Sequence, residues 1–140
     1  TSGTAVTIID SGAPGNATCS IGIKNNLVVL NAGTNVETST VTNPVSFAIN
    51  TPYILMVYFN GASSKVFSNN ITEAGGAGTV LNAGTNSLDG ITVGANKSNA
   101  NGIAAEISEV IVFNRALKNN ERSDVMKKKK KKYKITVTGL

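Results

Sequence analysis

The chain has 140 residues, enough for one domain that buries a core without needing a disulfide or a structural metal. Hydrophobic residues make up 41% and charged residues 15%, which excludes a disordered polyelectrolyte, and no apolar run approaches the ~20 residues of a membrane-spanning helix. The formal net charge is +5, yet removing the six consecutive lysines Lys127–Lys132 leaves −1, so the basic character is one local run and not a dispersed nucleic-acid-binding face.

Fourteen Gly and abundant Asn, Ser and Thr favour turns and short strands over long helices, which points to an all-β domain. In chain order, Thr4–Asp10 reads as a strand and Ser11–Asn16 as a turn set by Pro14 and its glycines. Thr18–Lys24 alternates as the next strand. Asn25-Asn26 supplies left-handed residues for a hairpin, and Leu27–Leu30 returns antiparallel. Val45–Ile49 is a short strand, and Tyr53–Phe59, the most apolar run, is expected as a central core strand. Asn60-Gly61 is the strongest hairpin signal in the chain and leads to a strand at Lys65–Ser68. Ile91–Val93 is short. In Ala104–Phe113, Ile107, Val110 and Val112 alternate with Glu106, Ser108 and Glu109 with one slip, readable as a strand with a β-bulge. Ile135–Thr138 is the last strand.

One heptapeptide, VLNAGTN, occurs at Val29–Asn35 and again at Val80–Asn86, 51 residues apart. The flanks differ, so this is not a solenoid of fixed period. Either both copies are strand-to-turn exits of the same kind, or Asn31 and Asn82 are equivalent rim residues of a ligand site. The single helix expected begins near Lys118. Asn119 is its expected N-cap, Glu121 and Asp124 sit near the positive end of the dipole, and the lysines occupy the C-terminal turns where positive charge is favourable.

The block Glu106–Ile135 resembles the end of a laminin G-like, concanavalin A-like lectin/glucanase domain. In those domains a strand of the form E-I-x-E-V-I-V-[FY]-N-R-A-L runs into a short helix and a final strand. Glu109, Asn114, Arg115, Ala116, Leu117, Glu121, Arg122, Val125 and Tyr133 fall in step with that pattern. PYILMVYFNG and GITVGAN resemble upstream strands of the same family, so the likeness covers roughly Pro52–Leu140. It implies a two-sheet antiparallel jelly-roll sandwich with one short C-terminal helix, as a single domain over residues 1–140. The start at Thr1 fits processing or a place in a longer chain. Two positions depart from the family. Lys118 stands where a capping Ser or Thr is usual, and Lys128 and Lys129 stand where Tyr-Leu packs on the sandwich. A lysine at 129 is expected to lay its stem over apolar surface and send its ammonium to water, at a cost of about 1–2 kcal/mol relative to Leu.

Catalysis has little to build on. His is absent, which removes Ser-His-Asp and Cys-His systems and Cys/His metal clusters. Cys19 is the only cysteine and reads as a small buried residue. Glu106 and Glu109 are the one close carboxylate pair in a strand, but a spacing of three points them to opposite faces; Glu109 is expected to pair with Arg115 or Arg122. Gly75–Thr79 is glycine-rich without the ending of a phosphate loop. The expectation is therefore a protein that is not an enzyme.

The family implies sugar binding through calcium or an aromatic platform. Trp is absent, and Tyr53, Tyr58 and Phe59 lie in a strand. The oxygen-bearing loop positions are Asp10, Asp89, Asn96 and Asn99, with Asn31 and Asn82 as rim residues; calcium is the only cofactor considered, at Asp10 and Asp89. Asn16, Asn70 and Asn96 head glycosylation sequons. The run Lys127, Lys128, Lys129, Lys130, Lys131 and Lys132 is either a solvated helix face or a sequence-blind patch for phosphate or anionic lipid.

The resulting expectation is a non-catalytic lectin-like binding or adhesion module of an extracellular, cell-surface or virion assembly, with a glycan or a partner protein as ligand. The competing expectation is a structural decoration or fibre domain of a virus particle, contacting neighbouring subunits or further copies of itself. Neither expectation involves specific nucleic acid or a membrane span.

Overall fold

A computed structural model describes residues 6–11, 19–25, 27–33, 35–37, 47–48, 50–72 and 82–140. Its strands form two small antiparallel sheets, followed by one C-terminal helix. β1 (Val6–Asp10), β2 (Ser20–Lys24), β3 (Leu27–Asn31), β4 (Asn35–Glu37) and β7 (Thr92–Val93) make a five-stranded sheet in the order β4-β3-β2-β1-β7. β5 (Leu55–Tyr58) and β6 (Lys65–Ser68) pair separately.

The first three strands follow from local chemistry. β2 and β3 pair without a slip from Ser20↔Asn31 to Lys24↔Leu27. The turn between them places Asn25 at φ 50°, a left-handed conformation that Asn tolerates better than most residues. β1 pairs with β2 through a register shift between Thr7 and Ile9, so the β-bulge lies here and not in Glu106–Glu109. Alternation along β3 turns Val28 and Leu30, followed by Ala32, into the core. There they meet Cys19, Ala83 and Val66, with Ile21, Phe47, Leu55, Val57 and Phe59 packed around them. The core thus draws side chains from both sheets. Gly22 lies mid-strand because a Cβ there would sit 2.7 Å from the Val6 carbonyl oxygen of β1.

Asn60-Gly61 does reverse the chain, through a single 3-10 turn at Gly61–Ser63 with Gly61 at φ 50°. Ser64 closes it, its hydroxyl donating to the Gly61 carbonyl and accepting from the Asn60 N–H. β6 occupies the expected residues. β5 is shorter than Tyr53–Phe59 and is one of two strands, not the centre of a sheet, because its far edge meets no described strand. Most of Val45–Ile49, the turn from Gly12 to Asn16 and Gly75–Thr79 lie outside the described residues.

Two expected strands are not strands. Ile135–Thr138 makes only an isolated bridge, Asn70↔Thr138, although Ile135 and Val137 are buried. Ala104–Phe113 joins neither sheet, and Val110, Ile111, Val112 and Phe113 are 38%, 46%, 54% and 45% exposed. Alternation specifies which residues could share a face; it does not supply the neighbouring strand.

Helix α1 (Asn119–Tyr133) starts one residue before expectation, with Lys118 as N-cap. Glu121 reaches back to accept the Lys118 N–H at 2.8 Å, half of a capping box; a lysine side chain has no acceptor for the other half. Asn119 sits inside the helix, its side-chain Oδ1 accepting from Arg122. Lys134, at φ 55°, ends the helix in the left-handed conformation and donates its N–H to Lys130.

The Gly22–Val6 approach yields a sharp test. Gly22→Ala should force β1 and β2 apart and cost about 1–3 kcal/mol, the range for overpacking, read as a lower urea midpoint with an unchanged slope.

Candidate functional site

The two copies of the heptapeptide meet. Asn31 Oδ1 accepts the Gly33 N–H at 2.9 Å, and Asn82 Oδ1 accepts the Gly84 N–H at 3.2 Å. Both glycines have positive φ, 106° and 95°. The same Asn-Ala-Gly turn is therefore built twice. The turns then bond to each other: Ala32 donates to the Ala83 carbonyl, and Asn86 donates at 2.8 Å to the Ala32 carbonyl. Ala32 and Ala83 are both buried in the core cluster. The repeat is a structural junction between β3 and the 82–86 segment. It joins the turns that carry Asn31 and Asn82, whose side-chain oxygens are engaged by their own turns.

The loop residues divide differently. Asn96 Oδ1 accepts from Ser98 and Ala100, and its backbone N–H bonds to the Ala100 carbonyl, closing a tight loop. Asp10 is buried at the end of β1 and accepts the Lys97 N–H at 2.9 Å, which pins that loop to the sheet. Asn99 lies in the same loop at φ 57° and donates its N–H to the Asn96 carbonyl. Asp10, Asn96 and Asn99 thus come together, as turn chemistry. Asp89 is exposed on another stretch, and among the described residues no group of three His, Cys, Asp or Glu side chains converges. Cys19 is buried beside Asp10; burial, and then the nearby carboxylate, push its thiol pKa up, which disfavours the reactive thiolate.

The lysine run is divided by its partners. Lys129 Nζ lies 2.8 Å from Glu109 Oε1, Lys132 Nζ lies 3.3 Å from Oε2, and the Tyr133 hydroxyl donates to Oε2 at 2.8 Å. Lys130 donates to the Leu140 carbonyl. Lys129, only 20% exposed at its side chain, does cover its stem, but its ammonium rests on Glu109 and not in water. Glu109 pairs with neither arginine expected for it. Arg115 makes a two-pronged bond to Glu121 at 2.7 and 2.8 Å, and Arg122 donates to the Leu117 carbonyl and lies 4.8 Å over the Phe67 ring. Lys127, Lys128 and Lys131 remain solvent-facing, and Lys127 is joined only to Asp124, at 3.8 Å.

No aromatic platform stands open among the tyrosines. Tyr53 is stacked edge-on with Phe47 and accepts the Ala48 N–H; Tyr58 accepts from Asn60. A hollow of about 180 Å³ between α1 and β5/β6 is lined by Met56, Phe67, Ile71, Arg122 and Met126, below the ~300 Å³ of an ordinary small-molecule pocket. Among the described residues no helix is long and apolar enough to cross a membrane. The role of Glu109 as a clamp was not readable from its spacing, because its partners lie 20 to 24 residues further on. The repeated heptapeptide, by contrast, was itself the signal for the junction at Ala32 and Ala83. No protein-family model, curated protein or solved structure matches the chain.

Hydrogen bonds from Lys129, then Tyr133, lower the Glu109 pKa from 4.5 to about 2, and those from Arg115 and the Lys118 backbone lower that of Glu121 to about 2. A depressed carboxylate pKa contributes stability that is present above its ordinary value and is lost as pH falls through the folded value. Between pH 4.5 and 2 the urea midpoint should therefore fall, with α1 loosening in circular dichroism. Glu109→Gln should lower the midpoint at pH 7 and flatten this acid limb.

Proposed function

We propose that the chain is a non-catalytic binding module that works by protein contact inside an extracellular, cell-surface or virion assembly. On this reading its two sheets are parts of a jelly-roll sandwich of the laminin G-like kind. The observation that carries it is the exposed apolar surface. Leu88, Ile91, Val93 and Val110–Phe113 are large apolar side chains left at least one-third open, and they fall within 26 residues of chain. Exposure of this many large apolar side chains over a short stretch of chain marks protein contacts more often than sugar sites, which are built from isolated aromatics and polar groups.

The carboxylates support a role without catalysis. A glycosidase needs one carboxyl group held protonated near neutral pH. Glu109 is held the opposite way, at about 2, by lysine and tyrosine donors. Glu106 is exposed. The glycan reading keeps one geometric support, that the turns carrying Asn31 and Asn82 are bonded to each other. It needs no cofactor; calcium at Asp10 would have to compete with the Lys97 N–H already bonded there.

The test is the structure of the native assembly with all neighbours present. Protein neighbours should bury at least ~1,000 Å² in total per specific contact, including residues 88–113. An open 88–113 surface together with glycan-array binding that Asn31→Ala and Asn82→Ala abolish would replace protein contact by sugar recognition.

A further inference from the structure

We propose that Ala104–Phe113 is an open docking edge that accepts an extended, acidic strand from a partner protein. The inference rests on the protein-contact reading above and names the chemistry of the partner.

The second half of the segment is tied to α1 through Glu109, and Arg115, two residues beyond the segment, is tied to it as well. Glu109 is bonded to Lys129, Lys132 and Tyr133 near the helix C-terminus, and Arg115 is bonded to Glu121 near its N-terminus. Residues 109–115 therefore run antiparallel beside the helix. The ~16 Å of helix axis between residues 121 and 132 lies within the ~20 Å that the six residues from 109 to 115 can span. No residue of 104–113 has positive φ, and among the described residues none makes a backbone hydrogen bond. N–H and C=O groups without a backbone partner among the described residues thus lie on a stretch of strand-forming residues, and Val110–Phe113 are exposed there. Main-chain pairing with an added strand satisfies those groups and covers alternate side chains.

The flank fixes the sign of the partner. At ~100° per residue, Glu121, Val125, Lys129 and Lys132 share the face turned toward the segment, and Lys128, Lys131 and Lys127 follow around the exposed side. Among the described residues, Lys128 and Lys131 carry no acidic partner. A strand laid along 104–113 would run beside this ridge, which favours Asp or Glu at its helix-facing positions. A second copy fits poorly, since a two-fold contact brings two such ridges together. A lipid surface fits poorly too, because unpaired backbone groups are costly against hydrocarbon.

The experiment pans the immobilised chain against a displayed random library of peptides about twelve residues long. Enriched peptides should alternate apolar residues, carry Asp or Glu, and bind less tightly as salt is raised. Affinity should fall by about tenfold or more both in Ile111→Pro, which removes one exposed backbone donor, and in Lys128→Glu/Lys131→Glu. Circular dichroism should show helix content kept in each variant. Absence of enrichment, peptides lacking acidic residues, or binding that Ile111→Pro leaves unchanged overturns strand docking. Equal binding of poly-glutamate reduces the ridge to a polyelectrolyte surface and also overturns it. A concentration-dependent dimer abolished by Val112→Asp makes a second copy the occupant. A native assembly that buries Leu88–Val93 but leaves 104–113 open would sink this inference alone, whereas purely glycan-dependent attachment would remove the protein-contact reading with it.

Discussion

Glu109 is the contact on which the C-terminal half of the molecule depends. Helix α1 has little apolar surface with which to dock, since Met126 is its one fully buried residue. It also carries six adjacent lysines, whose i,i+3 and i,i+4 neighbours repel one another by a few tenths of a kcal/mol per pair. A single carboxylate that accepts from Lys129, Lys132 and Tyr133 removes part of that repulsion and ties the helix to the chain before it. At the other end Arg115–Glu121, Arg122 against the Leu117 carbonyl, and the Arg122 guanidinium over Phe67 do the same work. The helix is held by polar clamps at its two ends, with Met126 seated between them.

What was legible in the sequence was what neighbouring residues decide among themselves. β6 falls on the expected residues, and β1, β2 and β3 differ from expectation by at most two residues at an end, because alternation and Asn or Gly turns are local signals. β4, three residues with no apolar alternation, was missed. Ala104–Phe113 alternates better than β4 and is not a strand, since pairing requires a partner that the segment itself cannot specify. The same limit hid the clamps. Glu109 was expected to pair with Arg115 or Arg122; it pairs instead with Lys129 and Lys132, 20 and 23 residues further on. Arg115 takes Glu121 instead.

The repeated heptapeptide shows how a motif can look like a site and serve the fold. An Asn two residues before a glycine closes its own turn, and the side-chain oxygen that a ligand would use is then engaged. The chain uses this Asx bond at Asn31, Asn70, Asn82 and Asn96. At Asn31 and Asn82 the identical geometry has a second consequence. Two turns of one shape present matching carbonyls and N–H groups, so they bond across Ala32 and Ala83, where only a small side chain fits the core. The sequence identity and the contact have one cause.

An unpaired run of strand-forming residues is normally a hazard, and proteins guard such runs with charge, proline or cover. Ala104–Phe113 has no proline, and Val110–Phe113 carry no charge. The guard is beside it instead, in Lys127, Lys128 and Lys131 of α1. A positive flank discourages the edge from adding another copy of this chain, whose own flank would arrive with the same sign. It does not discourage an acidic strand. The two features that looked unrelated in the sequence, an apolar alternating run and a lysine run, thereby act as one device: the first supplies adhesion without selectivity, and the second decides by charge which strands are allowed near it.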